Sequence, residues 1–275
     1  MPDNPDVNLL DETLATSSMR RKAGPVLIVA LQIFTFIALM GTWQALSATN
    51  ILDPFFFSRP SDIALRLWDW LSTGFIWPHL LTTLTEALLA FVIGTIFGVG
   101  LGLAFARVEL IAAVFDPYIR ILNALPRVIL APIFLLWFGL GIASKVALGV
   151  TLVFFVVFFN TYQGVREVDL VILNNARMLQ ATDRQLLRHV YLPSAMAWIF
   201  SSLHTSIGFA LVGAVVGEYL GSARGIGYVV SQAEGVFDTT GVFAGLILTS
   251  AVVLCIDLGI ERLERYLLRW RPTAA

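Results

Sequence analysis

Of the 275 residues, 57% are hydrophobic and only 13% are charged, and the formal net charge is −1. Soluble domains carry about 25% charged residues, so this composition marks an integral membrane protein, and a net charge near zero argues against nucleic acid as a partner. The only cysteine, Cys255, lies in an apolar run and excludes an internal disulfide.

The first 24 residues, MPDNPDVNLLDETLATSSMRRKAG, are acidic and then basic, and the apolar run behind them is too long for the core of a signal peptide. Residues 1–25 therefore read as a disordered tail and residues 26–270 as one membrane domain. A hydrocarbon core of about 30 Å takes about 20 apolar helical residues per crossing. Six segments fit: 26–47, 79–106, 121–139, 146–164, 196–220 and 241–261. The strand-like alternation of a barrel is absent, so the fold class is all-α, a polytopic membrane protein with six transmembrane helices.

Lys and Arg placement sets the expected orientation. With the N-terminus inside, the inner segments hold Arg20, Arg21, Lys22, Arg107, Arg120, Arg166, Arg177, Arg184, Arg188, Arg262, Arg265, Arg269 and Arg271. The outer segments hold Arg59, Arg66, Lys145 and Arg224, and Arg127 is left at membrane depth. Thirteen basic residues against four place both termini in the cytoplasm. After span one, SRPSDIALRLWDWLSTG starts with Pro60 and Ser61 and sets Ile63, Leu67 and Trp70 on one helical face. This predicts a short helix along the outer interface, with Trp68 and Trp70 near the headgroups.

Glu86, Arg127, Glu218 and Asp257 fall within or at the edges of spans, where an unpaired charge costs about 2.5–3.5 kcal/mol. Each is a candidate for a polar path through the membrane or for a helix-to-helix pair. By position along the spans, Arg127 and Asp257 are expected to pair, and Glu218 either takes part in the path or reaches interfacial water by snorkelling. Gly94, Gly98 and Gly102 share one helix face, as do Gly213, Gly217 and Gly221. Small residues at that spacing let helices approach closely; the functional alternative places Gly208 and Gly213 on a central path that span five gates. His79, His189 and His204 have no metal-ligand spacing.

The longest inner loop, 166–193, lies between spans four and five. Its stretch ARMLQATDRQLLRHVYLPSA mixes charges with Met178, Leu179, Leu186, Leu187 and Val190 at helix-like spacing, which suggests short helices presented to another protein. Its alternative reading is a solvated basic loop.

That stretch resembles the cytoplasmic-loop signature of permease subunits in binding-protein-dependent ABC importers: Glu-Ala-Ala, three residues, Gly, nine residues, Ile, one residue, Leu-Pro. Ala176 matches the second Ala, Val190 the Ile, and Leu192 and Pro193 the Leu-Pro. Asn174 stands for the Glu and Gln180 for the Gly, which favours a less strained turn or a continued helix at Gln180. DPYIRILNALPRVILAPIFLLWFGLGIASKV, with Asp116-Pro117, Leu125-Pro126 and Trp137-Phe138-Gly139, is similar to the third-span region of the taurine, sulfonate, nitrate and pyrimidine-precursor branch. GAVVGEYLGSARGIGY, with Glu218 and a Gly225-Ile226-Gly227 turn, resembles its fifth-span end, and ERLERYLLRW its cytoplasmic tail.

The resemblance implies a bacterial inner-membrane permease that forms the alternating-access path for a small anionic or heterocyclic nutrient. A binding protein would deliver the nutrient, and a dimer of ATPase subunits and a second permease copy would complete the machine. Loop 166–193 becomes the coupling region, with Ala176, Gln180, Leu192 and Pro193 in its signature. Met178, Leu179 and Leu186 are its apolar anchors, Arg177, Asp183 and Arg184 its polar rim, and Pro193 stops the loop where span five begins. No cofactor is expected in this chain. There is no G-x-x-x-x-G-K-[ST], and Lys145, the sole Lys after the tail, follows Ser144, so ATP would be hydrolysed by the partner. A proton-coupled secondary transporter is the alternative, since it too keeps carboxylates in spans. An intramembrane enzyme built on Glu86 or Glu218 lacks an obvious second polar group on the same face.

Overall fold

A computed structural model describes residues 25–267, all of whose regular elements are helical. The acidic-basic tail and the chain beyond Leu267 lie outside the described residues. The chain divides into one compact unit ending at Ser61 and another beginning at Asp62.

In the first unit, α1 (Pro25–Ala48) carries Thr35 and Thr42. Their hydroxyls donate back to the carbonyls of Leu31 and Ala38 at 2.8 and 2.7 Å, so these polar groups are satisfied inside the helix. Asp53 caps the single turn α2 (Pro54–Phe57) by accepting from the Phe55 N–H. The Gln44 side chain then bonds both the N–H and the hydroxyl of Ser61.

The second unit begins inside α3 (Pro60–Ser72). The predicted face is the packed one: Ile63 and Trp70 are buried and Leu67 half-buried. Trp68 is 72% exposed, whereas Trp70 sets its ring against Phe75, with centroids 6.0 Å apart. There follow α4 (Trp77–Arg107), α5 (Glu109–Ala124), a 3₁₀ turn (Arg127–Leu130), α6 (Ala131–Phe138) and α7 (Ile142–Arg166). After them come α8 (Leu170–Met178), α9 (Asp183–Leu186), a π-helical turn (Leu187–Tyr191), α10 (Leu192–Leu220), α11 (Ile226–Gly235) and α12 (Thr239–Leu267).

Among the described residues, five helices are long and apolar enough to cross a membrane: Val26–Ala48, Trp77–Arg107, Ile142–Arg166, Asp183–Leu220 and Thr239–Arg262. The sixth span, expected as one helix over 121–139, is a broken pair, Leu110–Ala124 and Arg127–Phe138, bent by 85°. The cause is Pro126, which has no N–H and forces the preceding residue out of the α region; Leu125 is extended at φ −68°, ψ 132°.

The centre of this unit is the packing of α4, α7 and α10, whose shared core holds Ala87, Val153, Val157, Ala210, Leu211 and Ala214. Both glycine rows serve it. A Cβ on Gly94, Gly98 or Gly102 would stand 2.7–2.8 Å from the Cβ of Val153, Val157 or Thr161 in turn, so α4 and α7 touch turn by turn where only hydrogen fits. On α10, Gly213 faces the Gly149 backbone and Gly217 the Lys145 stem. Gly213 is therefore a buried contact and not a path-lining residue; at Gly208, by contrast, a methyl group would meet nothing within 4 Å.

This contrast is measurable. Gly98→Ala should lower the thermal midpoint of the detergent-solubilised chain by the equivalent of about 1–3 kcal/mol of overpacking. Gly208→Ala should hold or raise it, because alanine is the better helix former by about 1 kcal/mol. Equal loss at both positions would contradict the packing.

Candidate functional site

Two clusters of chemistry-bearing residues stand at opposite ends of α10. At its C-terminal end, Glu86 of α4, Lys145 of α7 and Glu218 of α10 are 2%, 0% and 1% exposed. Glu218 Oε1 accepts from the Thr83 hydroxyl at 2.6 Å, and its Oε2 accepts from the Gly227 N–H at 2.7 Å. Thr83 Oγ1 in turn accepts from the Ile226 N–H at 2.8 Å, and His79 Nδ1 from the Gly225 N–H at 3.2 Å. Three side chains from α4 and α10 thus satisfy the otherwise orphaned donors that begin α11. Lys145 Nζ donates to the carbonyl oxygens of Gly221, at 2.7 Å, and Leu140. Gly225 sits at φ +114°, and a side chain there would overlap the Glu218 carboxyl, which is why this turn reads Gly-Ile-Gly.

The carboxyl groups of Glu86 and Glu218 and the Lys145 ammonium lie within electrostatic reach of one another, and Glu86 Oε2 is buried with no hydrogen-bond partner among the described residues. Glu218 is a structural anchor and does not snorkel. The residues flanking Lys145 gave no sign of this role; its one sequence signal is that it is the sole lysine outside the tail, standing at the edge of an apolar run.

The expected Arg127–Asp257 pair does not form. Asp257 Oδ1 contacts His204 Nδ1 at 2.9 Å, a partner one helix away on α10. Arg127 lies over the Phe155 ring at 4.4 Å and donates to the Asn123 side-chain oxygen. The 85° break carries Arg127 away from the straight span on which that pairing depended.

At the other end of α10, loop 166–193 folds around its own small core of Val168, Leu173, Leu186 and Val190. Asp169 caps α8 through the Val171 N–H, and Thr182 with Gln185 forms a complete capping box at α9. Gln180 makes the turn between them at φ +59°. The chain thus makes a left-handed turn without a glycine, where a less strained turn or a continued helix was expected. Leu186 is 5% exposed and belongs to the loop's core, so it is not an offered anchor. Met178 and Leu179 are 82% and 84% exposed, with Arg177, Asp183 and Arg184 exposed around them and Ala176 half-buried behind. A cavity of about 270 Å³ lies beside Leu179, between Ala176, Ala181, Gln185 and His189.

Pro193 does not stop the loop. Asp183–Leu220 is one helical run; Leu187–Tyr191 widens to π geometry, and the Leu192 N–H reaches back five residues to Leu187. A proline clashes with the carbonyl four residues earlier, and a π turn relieves that conflict without breaking the helix.

Residues 94–269 match the family described as binding-protein-dependent transport system inner membrane component. The chain belongs to that family. It is 31% identical to the putative aliphatic sulfonates transport permease protein SsuC of Bacillus subtilis, over 85% of this chain and 84% of that one. It is 34% identical to the formylaminopyrimidine transport permease protein ThiX of Halalkalibacterium halodurans, over 86% and 94%. Among solved structures, the inward-facing methionine ABC transporter MetNI aligns with a TM-score of 0.61 at 18% identity, over 72% of this chain and 96% of that one, a likeness of fold. The permease is therefore a multi-pass inner-membrane transport component of the sulfonate and pyrimidine-precursor branch, not an enzyme, and it depends on partner proteins. The secondary-transporter alternative falls with that membership.

Lys145→Met should strand two carboxyls and the Gly221 carbonyl, costing about 3–5 kcal/mol, seen as loss of folded protein by size exclusion. Adding Glu86→Gln should recover part of it, so the double change costs less than the two summed; strict additivity would separate the two residues. Gln180→Gly should raise the thermal midpoint by the equivalent of about 1 kcal/mol, since a left-handed non-glycine residue carries about 1–2 kcal/mol of strain. A lowered midpoint would show that Gln180 is held by more than its backbone.

Proposed function

We propose that this permease is the path-forming subunit of an importer, working by alternating access with a second permease copy. A dimer of ATPase subunits docks on loop 166–193, and a binding protein delivers the solute on the opposite side. The nutrient is a small anion or heterocycle, a reading supported by the names of the sulfonate and formylaminopyrimidine relatives. Both termini face the cytoplasm, with loop 166–193 on the same side. The basic asymmetry supports this, and more so because Lys145 is 0% exposed and thus drops out of the outer charges.

The observation that carries the proposal is the exposed Met178–Leu179 tip on a loop that packs around a core of its own. Two large apolar side chains more than four-fifths exposed, beyond a capped and cored support, form a knob for a partner's groove. The adjoining cavity beside Leu179 is a socket for a side chain coming the other way. The charged rim of Arg177, Asp183 and Arg184 sets orientation more than affinity, since exposed ion pairs contribute about 0–1 kcal/mol.

Leu179→Asp should therefore release the ATPase from the detergent-solubilised complex while the permease itself stays folded, because the Leu179 side chain is not part of the loop's own core. Arg184→Ala should release it weakly at most. Co-purification of the ATPase with Leu179→Asp, together with full transport-coupled ATP hydrolysis, would remove the docking role.

A further inference from the structure

The broken span holds a charge that the fold leaves without an opposite charge. Asp116 is taken by Arg120 at 2.8 Å, Asp257 faces His204, and Glu86 and Glu218 are within electrostatic reach of Lys145. Arg127 has no carboxylate among the described residues: its Nη2 is directed at Asn123, and its buried Nε has no partner. The Phe155 ring beneath the guanidinium holds it in place. An uncompensated arginine facing lipid costs about 2.5–3.5 kcal/mol or more, so the side on which Arg127 opens must be polar.

Its neighbours point the same way. Asp116, Arg120 and Asn123 succeed one another at steps of four and three residues, a polar stripe along α5 that ends at the break just before Arg127. On that stripe, Asp116 and Arg120 line a cavity of about 510 Å³ with Tyr162 and Arg166 of α7. Irregular backbone at membrane depth survives only where it is buried in protein or lines a wet cavity, and broken helices at mid-depth are where carriers place their binding sites.

We infer that Arg127, steadied by Asn123 and Phe155 at the α5 break, is the point in the path that contacts the oxyanion head of a small organic anion. The inference rests on the reading of this chain as a path-forming permease, and it narrows the solute to the anionic class. A guanidinium offers planar donors that suit a sulfonate or carboxylate.

The test uses the full permease–ATPase complex without ATP, in phosphatidylcholine vesicles, with methanesulfonate as probe and the neutral isostere dimethyl sulfone as control. Ala124→Cys in a Cys255→Ser background reports from the last residue of α5, next to Asn123 and the break, through its rate of labelling by a water-soluble maleimide. Labelling should be slowed several-fold by methanesulfonate and not by dimethyl sulfone. The slowing should vanish in Arg127→Gln and weaken in Arg127→Lys, which keeps the charge but loses the fork. The lysine variant serves if the glutamine variant does not assemble.

No labelling of Ala124→Cys, no slowing by methanesulfonate, equal slowing by both probes, or slowing unchanged in either Arg127 variant would each overturn the inference. So would slowing produced by phosphatidylglycerol vesicles in place of methanesulfonate, which would mark a lipid-headgroup site. Because no ATP is present, these outcomes are independent of the Leu179→Asp result, which tests the importer reading itself.

Discussion

Lys145 reaches from α7 into the turn that ends α10, and much of the fold follows from its being wholly out of water. An ammonium in that position is tolerable only if its charge and its protons are met inside the protein. Two backbone carbonyls accept its protons, and two carboxyls within electrostatic reach offset its charge. Those carboxyls belong to α4 and α10, so satisfying one lysine sets three helices in register. Glu218 then uses its second oxygen on the start of α11, and the turn must be glycine where the carboxyl occupies a side chain's place. The close approach that brings these groups together is the one permitted by the glycine rows of α4 and α10.

At its other end α10 grows directly out of loop 166–193. The run from Asp183 to Leu220 is 38 residues, about 57 Å of helix at 1.5 Å per residue. A π turn in front of Pro193 keeps it continuous where a plain α-helix would have broken. The exposed knob at Met178–Leu179 is thus carried on a cored loop joined to a long rigid element. A displacement imposed on the loop would travel along α10 to the turn where Lys145 holds the Gly221 carbonyl. On the proposed docking role of the loop, this is the physical connection that alternating access needs between the ATPase side and the far end of the path.

Much is legible in the residues themselves. Apolar run length announces five helices and the region of the sixth, and the amphipathic face of α3 follows from spacing because that spacing is local. Loop 166–193 stands out by its anomaly of composition, and its signature brings the family with it. Even the Gly225-Ile226-Gly227 turn is visible, although its reason, the Glu218 carboxyl, comes from a helix away. Gln180 escapes such reading because a propensity argument treats one residue at a time, whereas the capped helices on both sides force it into the left-handed turn.

The sequence alone determined the class, the membrane segments, the charged loop and the family, because hydrophobicity, charge asymmetry and short motifs are properties of neighbours along the chain. Tertiary structure alone decided which charge meets which. Arg127 and Asp257 share a depth on paper, but a proline break turns one of them toward Phe155, and His204 lies nearer to the other. Glu86, Lys145 and Glu218 sit on three separate helices, and nothing in their local surroundings says that helix packing will enclose them together. Partner choice for a buried charge is a matter of distance in space, and that distance exists only once the helices have packed.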